Sequence, residues 1–216
     1  MMSDTGITAK RQTKGEKTAQ RILDAAADLF ASQGYDGTSL RQIAQGTGIT
    51  EPALYNHFAS KQALYEAVLH RGLNPMAQAL AEHIDGASRL RDYTELPAIM
   101  TDLLLEHPQM AALFQQAMQG DANSLGTQLV AAWLERLLDE GRRSLTRYGA
   151  VANSGDRDQD HAALAINLIA MFNLTTGYFL SQRAFATLAS GNIKDPDNIA
   201  RQKHLLHKVI RAMLVS

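Results

Sequence analysis

A short segment at residues 50–57 carries polar side chains at a spacing that suits contact with a nucleic acid. If this segment is helical, Leu54 and Phe58 lie on one face and point into a core, and Thr50 is a suitable N-cap. The opposite face then presents Thr50, Glu51, Ala53, Tyr55, Asn56 and His57. Hydroxyl, amide, carboxylate and imidazole groups on an exposed helix can hydrogen-bond to phosphates and base edges in the major groove of DNA.

The residues before this segment predict a second helix and a tight turn that hold it in place. Leu40, Ile43 and Ala44 recur at helical spacing, and the small alanine leaves room for a crossing helix. Gly48 can adopt the left-handed conformation that suits the bend, and Pro52 is tolerated in the first turn of the following helix. This spacing is that of a helix-turn-helix, a motif that reads DNA.

Two further segments flank the motif. The chain reads AQRILDAAADLFASQGYDGTSLRQIA before the turn, and LYNHF followed by ASKQALYEAVL after it. The first segment is an amphipathic helix that runs into the turn, and the second is similar to the pattern Leu-Tyr-x-His-Phe, x, Ser-Lys, x, x-Leu. On these residues the chain resembles the TetR family of bacterial transcription regulators. The resemblance covers roughly the first third of the chain, whereas residues 85–216 match in helical organisation more than in motif.

The resemblance implies which residues contact DNA. Thr50 and Tyr55 align with positions that contact phosphates or base edges, and His57 aligns with one that reaches the backbone. Lys61 aligns with a phosphate-contacting lysine at the start of the next helix, where the helix dipole is positive. We expect further contacts from the other predicted DNA-binding residues: Ser39, Arg41, Glu51, Pro52 and Asn56.

Three of these residues have a second interpretation. Ser39 is at least as well suited to cap its helix, in a capping box with Gln42. Glu51 either accepts a hydrogen bond from a cytosine amine or balances the positive end of its helix, and the second role is favoured. Tyr55 is either a DNA contact, which is favoured, or partly buried against the first helix. Because Glu51 and Pro52 replace residues common among relatives, the base preferences of a relative do not transfer.

Charge is unevenly distributed along the chain. The net charge of the 216 residues is −1, but five cations stand against one acid from Ala9 to Arg21, and ten acids stand against three arginines from Glu82 to Glu140. A basic arm beside the helix-turn-helix can contact phosphates, although a solvated tail has the same composition. The chain has no cysteine, which excludes disulfides and thiolate metal sites and favours a reducing compartment.

The hydrophobic pattern predicts an all-α fold, because no alternating run indicates a sheet. Residues 1–62 are expected to form a basic arm and a three-helix DNA-binding domain, and residues 63–216 a larger helical effector-binding and dimerisation domain. The predicted helices after the first domain cover residues 92–106, 108–119, 122–148 and 161–189, with a last helix from Asp195. Residues 149–160 are predicted to form a polar loop.

Two apolar stripes near the C-terminus predict a homodimer, formed by residues 161–189 and 196–215. The stripes consist of Ala162, Ala165, Ile169, Phe172, Thr176 and Phe179 on one helix and Leu206, Val209, Ile210, Met213 and Leu214 on the other. Paired across a two-fold axis, they would form an intermolecular four-helix bundle, as in family members. Packing within one chain is the alternative.

The resemblance also implies an effector site for an unidentified small molecule in the C-terminal domain. Its candidate residues combine flexible thioethers, aromatic rings and a few polar groups, the mixture typical of a mainly apolar site. These residues are Met110, Phe114, Met118, Trp133, Leu137, Phe172, Asn173, Thr176 and Tyr178. Individually, each is more typical of ordinary core.

The expected function is a ligand-responsive repressor that binds a palindromic double-stranded DNA operator. The alternative is a DNA-tethered protein-interaction factor without an inducer, for which a filled core and a large exposed apolar patch would be typical. An enzyme is not expected, because no glycine-rich phosphate loop or cysteine nucleophile is present, and no acid at matching spacing joins His204 and His207 in a metal site. No cofactor or metal is predicted.

The expected location is the cytoplasm. No apolar core resembling a signal peptide stands at the N-terminus. The most apolar window, residues 161–180, is interrupted by asparagines and threonines and is typical of a bundle helix more than of a membrane span. No membrane partner is therefore predicted.

Overall fold

The computed structural model describes residues 13–86, 90–147 and 157–215. In these ranges every regular element is a helix, which confirms the all-α prediction. The elements are α1 (Lys14–Gly37), α2 (Leu40–Thr47), α3 (Glu51–Tyr55), α4 (Lys61–Gly86), a 3-10 turn (Leu90–Glu95), α5 (Leu96–Glu106), α6 (Gln109–Gln119), α7 (Leu125–Arg147), α8 (Arg157–Leu180), α9 (Gln182–Leu188) and α10 (Pro196–Val215). The first cations of the predicted arm, Lys10 and Arg11, lie outside the described residues.

The chain divides into two compact units, Met1–Val68 and Leu69–Ser216. The first unit holds α1, α2, α3 and the beginning of α4, and the second holds the rest of α4 and the helices that follow it. The functional division into residues 1–62 and 63–216 remains a prediction, because compactness does not test which residues bind DNA or an effector.

Apolar side chains from four helices form the core of the first unit. The buried members are Ile22, Ala26, Ala27, Phe30, Leu40, Ile43, Ala44, Leu54, Leu64, Tyr65 and Val68. At the edge of this core, Arg21 Nη2 donates a hydrogen bond of 2.6 Å to the Thr47 carbonyl oxygen. The cationic guanidinium thus lies at the C-terminus of α2, where the helix dipole is negative. This contact ties α2 to α1.

An aromatic cluster lies at the centre of the second unit, where α6, α7 and α8 pack together. The ring centroids of Phe114, Trp133 and Phe172 lie 5.1–5.6 Å apart, and all three side chains are almost fully buried. Trp133 Nε1 donates a hydrogen bond of 3.0 Å to the Leu73 carbonyl oxygen of α4. The indole is therefore buried without losing its hydrogen bond, as its polar N–H requires.

The last helix, α10, packs against α5, the 3-10 turn and α8. Lys203 forms an ion pair with Asp102 of α5, and His207 Nδ1 lies 3.3 Å from Glu95 Oε1. These side chains are partly exposed to solvent, where ion pairs contribute little to stability. Apolar packing, with Leu206 and Ile210 buried, therefore holds α10 in place.

Two predicted helices differ from the structure: the one over residues 161–189 begins earlier and is interrupted, and the one over residues 92–106 begins as a 3-10 turn. The helix predicted over residues 161–189 ends at Leu180, and α9 begins after Ser181, whose hydroxyl donates to the Gly177 carbonyl oxygen. The first part of the helix predicted over residues 92–106 is a 3-10 turn, and α5 starts at Leu96 because Pro97 favours the first turn of a helix. The predicted polar loop is wrong at its end, because α8 begins at Arg157.

Among the described residues, one helical stretch, Ala162–Leu180, has the length and apolar composition that crossing a membrane requires. The helix that contains it packs against α5, α6, α7 and α10. This packing buries 28% of the stretch.

Candidate nucleic-acid interface and apolar cavity

Local hydrogen bonds fix the start of α2. The Ser39 hydroxyl oxygen accepts a hydrogen bond of 3.2 Å from the Gln42 amide, and Gln42 Oε1 accepts one of 2.8 Å from the Ser39 amide. This reciprocal pair is the predicted capping box, and it is confirmed. A contact between Ser39 and DNA stays a prediction.

The turn between α2 and α3 has the geometry that the sequence indicates. Gly48 has φ 69° and ψ 30°, in the left-handed region where a side chain would be strained. The Thr50 hydroxyl then caps α3 by accepting a hydrogen bond of 3.3 Å from the Ala53 amide, and Pro52 lies in the first turn. A single short helix is thereby held on the surface, with Leu54 fully buried beneath it.

The predicted DNA-binding residues are brought together around α3. Leu54 points inward, whereas Tyr55 is 50% exposed, so its ring is available to a partner. The other exposed members of the set are Ser39, Arg41, Thr50, Glu51, Pro52 and Asn56, and His57 and Lys61 are partly exposed. Hydroxyl, amide, imidazole and cationic groups at these positions are therefore accessible to a partner, as contact with phosphates and base edges requires.

Lys61 lies at the start of α4 beside Tyr35, a residue that is absent from the predicted interface. The Lys61 Nζ atom is 4.4 Å from the centroid of the Tyr35 ring, within the range of a cation–π interaction. The Tyr35 ring in turn packs against Phe30 and Tyr65, with centroid distances of 6.0 and 4.9 Å. Because the two partners of the cation–π pair are distant in sequence, local spacing gives no signal for it.

The Tyr35 hydroxyl remains protonated in this setting. Its pKa is raised by burial and, to a lesser degree, by the nearby carboxylates of Asp36 and Glu66. The phenol therefore adds no negative charge beside a surface that is to meet phosphates. Tyr35 contributes the face of its ring.

The predicted effector residues gather around α6, α7 and α8, but most are packed against one another. Met110 and the aromatic cluster of Phe114, Trp133 and Phe172 are buried, and Met118 is partly buried. Met110 fills the space beside Gly72, where an added Cβ would come 2.2 Å from the methionine sulfur. Dense packing of this kind is typical of core. That these residues bind an effector stays a prediction.

The polar members of that set bond to the protein itself. Gln115 Nε2 donates hydrogen bonds of 3.0 Å to Thr176 Oγ1 and 3.3 Å to Asn173 Oδ1, which joins α6 to α8. The Tyr178 hydroxyl donates to the Ile193 carbonyl oxygen. The pKa of Tyr178 is raised by burial and by the carboxylate of Asp195. Binding of an effector by these groups would require exchange of existing hydrogen bonds.

A cavity of about 100 Å³ lies elsewhere in the second unit. It is lined by side chains of α4, the 3-10 turn, α5, α7, α8 and α10: Leu80, Ile84, Tyr93, Leu96, Leu137, Leu138, Gly141, Arg142, Leu164, Asn167, Leu168, Met171, Ile210 and Met213. Leu137 is shared with the predicted effector set. The remaining lining residues were missed, because a void depends on how distant side chains fit together and leaves no local pattern in the sequence.

The structure corrects the predicted dimer stripes. Five of their residues are buried within the chain and have almost no surface left for a partner: Phe172, Thr176, Phe179, Leu206 and Ile210. Ile169 is 43% exposed, and Ile166 and Leu205, which the prediction missed, are 65% and 55% exposed. The side chain of Leu214 lies outside the described part. The apolar surface of α8 and α10 is therefore offset from the predicted stripes.

Comparison with known proteins identifies the family. Residues 22–68 match the profile of "Bacterial regulatory proteins, tetR family". The HTH-type transcriptional regulator RutR of Escherichia coli is 32% identical over 133 residues, which cover 62% of this chain and 62% of RutR. Residues 22–68 therefore carry a TetR-family helix-turn-helix. The match to RutR spans less than two thirds of the length of RutR.

Solved TetR structures match the fold over most of the chain. A TetR-like transcriptional regulator from Rhodococcus sp. RHA1 has a TM-score of 0.64 at 21% identity, with 95% of this chain and 100% of that chain covered. The transcriptional regulator FadR from Bacillus subtilis, solved in complex with stearoyl-CoA, has a TM-score of 0.63 at 14% identity, with 88% and 96% covered. At these identities the likeness concerns the fold alone.

Proposed function

We propose that this chain is a DNA-binding transcription regulator that binds a palindromic operator as a homodimer and responds to a small-molecule effector. Residues 1–62 form its DNA-binding domain in this proposal, and residues 63–216 bind the effector and the second subunit. The matched profile and RutR are those of transcription regulators, which supports the prediction that the chain is not an enzyme.

The exposed surface of α3 is the observation that carries this proposal. Its start is capped by Thr50, its inner side is held by Leu54, and its outer side presents Tyr55 next to Lys61 of α4. A short helix fixed in this way can place its N-terminal residues in the major groove. The lysine at the start of the next helix adds a cation at a position suited to a phosphate.

Selection of bound fragments from genomic DNA, followed by sequencing, tests the proposal. The expected result is enrichment of fragments that share a palindrome, with half-sites separated by about one helical turn, 34–36 Å. The same selection with the Tyr55→Ala variant is expected to lose this enrichment while the fold is retained. Equal recovery of all fragments by the native chain, at low salt and without effector, would contradict DNA-sequence recognition.

The exposed apolar side chains of α8 and α10 support the homodimer. Ile166, Ile169 and Leu205 are all more than 40% exposed, although each is large and apolar. Burial of such side chains against a second copy would remove apolar surface from water, and this is the main driving force of stable association. A two-fold axis would also give the pair of DNA-binding units that a palindrome requires.

The cavity supports an effector-responsive regulator over a DNA-tethered interaction factor. It is lined by residues of both α4 and α8, such as Leu80 and Leu168, and its apolar lining resembles that of small-molecule sites. One observation favours the DNA-tethered interaction factor. Leu188 of α9 is 86% exposed and offers an apolar contact to another protein. A small molecule that alters the affinity of the chain for its operator would support the effector-responsive regulator over the DNA-tethered interaction factor.

We also propose a cytoplasmic location. The chain has no cysteine to be oxidised, and DNA is its proposed partner. The apolar stretch Ala162–Leu180 belongs to a helix that packs against α5, α6, α7 and α10 of the second unit.

A further inference from the structure

We propose that the cavity of the second unit binds a compact, uncharged, mainly apolar molecule about as large as a single substituted ring. The inference rests on the proposed function, since it assigns a chemical class to the effector of that regulator. It follows from the volume of the cavity, the chemistry of its lining and the open space at Gly141.

The volume sets the size of the ligand. A cavity of about 150 Å³ lined by apolar side chains accommodates benzene. The cavity in this chain is smaller, about 100 Å³, and is open on one side, so a single ring fits only with part of its edge or its substituent at the opening. A long acyl chain, such as that of the stearoyl-CoA bound by the FadR relative, has several times the volume of one ring.

The lining sets the polarity of the ligand. Leucine, isoleucine and methionine side chains provide most of the surface, so an apolar ligand gains the free energy of leaving water. Asn167 contributes an amide that can form one hydrogen bond with a hydroxyl or carbonyl group. Tyr93, which also lines the cavity, carries a hydroxyl, so the expected ligand is apolar with one or two such groups.

The lining also disfavours a ligand with a negative charge. Arg142 is the cation among the lining residues, but its side chain is 51% exposed and its Nη2 atom lies 3.6 Å from Asp139 Oδ1. A carboxylate in the cavity would compete with Asp139 for this guanidinium and would lose its hydration among apolar groups. A neutral molecule avoids both costs.

Gly141 provides a way to close the cavity without disturbing its other walls. It lies within α7 and lines the cavity, and a Cβ added there would meet no atom within 4 Å. A leucine at this position would therefore extend into space that the ligand requires. Ala131, also on α7, is exposed and does not line the cavity, so Ala131→Leu is a matched control for an added leucine.

The test is isothermal titration calorimetry of the full chain with four probes: toluene, phenol, benzoate and dodecanoate. Toluene and phenol are expected to bind at one molecule per chain, at least tenfold more tightly than benzoate and dodecanoate. Gly141→Leu is expected to weaken both neutral rings at least tenfold, whereas Ala131→Leu leaves them unchanged. Gly141→Ala, with a smaller intrusion, is expected to give an intermediate loss and covers the case in which the leucine variant does not fold.

The proposal is overturned if neither neutral ring binds, if benzoate or dodecanoate binds more tightly than phenol, or if binding in both Gly141 variants equals that of the native chain. Operator binding, measured separately on the selected fragments, distinguishes this failure from failure of the proposed function. A chain that binds its operator but no neutral ring refutes the ligand class alone. A chain that binds toluene but no DNA sequence refutes the regulator and leaves the cavity assignment standing.

Discussion

At the scale of single residues, Lys61 combines three favourable features for contact with a phosphate. It is a cation at the start of α4, it is partly exposed, and its ammonium lies over the Tyr35 ring. The ring is held by Phe30 and Tyr65, so it restricts where the lysine side chain lies. A pre-positioned cation loses less conformational entropy on binding than a freely rotating one.

Replacement of this lysine should weaken DNA binding mainly through electrostatics. We expect Lys61→Ala to lower operator affinity and to reduce the slope of log K against log salt by about one for each phosphate that the lysine neutralises in a half-site. Fluorescence anisotropy over a salt series measures both quantities. Lys194→Ala, which removes an exposed lysine of the second unit, is the control. An unchanged slope in Lys61→Ala would remove Lys61 from the interface.

Tyr35 should affect the same interaction without touching DNA. A cation–π pair at an exposed site is worth about 0.5–1 kcal/mol, so Tyr35→Leu is expected to weaken operator binding by about two- to fivefold per half-site. Tyr35→Phe keeps the ring and should bind as the native chain does. A decrease in affinity in Tyr35→Leu that persists in a Lys61→Ala background would show that Tyr35 acts in some other way. The four operator affinities of this double-mutant cycle show whether Tyr35 acts through Lys61.

At the scale of elements, the turn between α2 and α3 depends on one backbone conformation. Gly48 lies in the left-handed region, whereas Gly46 lies inside α2, where a Cβ would be 4.0 Å from the Ala25 Cβ. The two glycines are close in sequence but have opposite requirements. A side chain is strained at the first and fits at the second.

This contrast predicts opposite effects of the same substitution. Gly48→Ala should lower the free energy of unfolding by about 1 kcal/mol or more, because alanine is strained at positive φ. Gly46→Ala should raise it by about 0.5–1 kcal/mol, because alanine favours the helix and loses less chain entropy on folding. Urea unfolding followed by circular dichroism measures both values. Equal stability of the two variants would refute the assigned role of Gly48.

At the scale of the whole molecule, apolar exposure on two C-terminal helices indicates self-association. The predicted stripes correctly named α8 and α10 as apolar, but about half of their residues are used within the chain. Ile166 and Leu205 remain exposed, and we expect a second copy to cover them. Dimerisation and operator recognition are then coupled, because a palindrome has two half-sites.

A charge on this surface should separate the two subunits. We expect the native chain to sediment as a dimer at micromolar concentration and Ile166→Asp to shift it towards monomer, because a buried aspartate would lose its hydration. Ala131→Asp places the same charge at an exposed position of α7, outside the proposed surface, and should leave the dimer intact. Analytical ultracentrifugation of the three proteins provides the measurement. A native chain that sediments as a monomer would exclude this arrangement.

The sequence alone determined the local architecture of the DNA-binding unit. The capping box of Ser39 and Gln42, the glycine at position 48 and the Thr50 cap each depend on residues within one helical turn, so their spacing is sufficient to predict them. The all-α class followed from hydrophobic periodicity in the same way.

Only the tertiary structure decided which of several equivalent apolar residues are buried and where space remains. It placed Tyr35 beside Lys61, turned Phe172 and Leu206 inward, and left a cavity beside Gly141. These features depend on the fit between side chains that are distant in sequence. A one-dimensional pattern records that a residue is apolar, but the packing of neighbouring helices determines what it contacts.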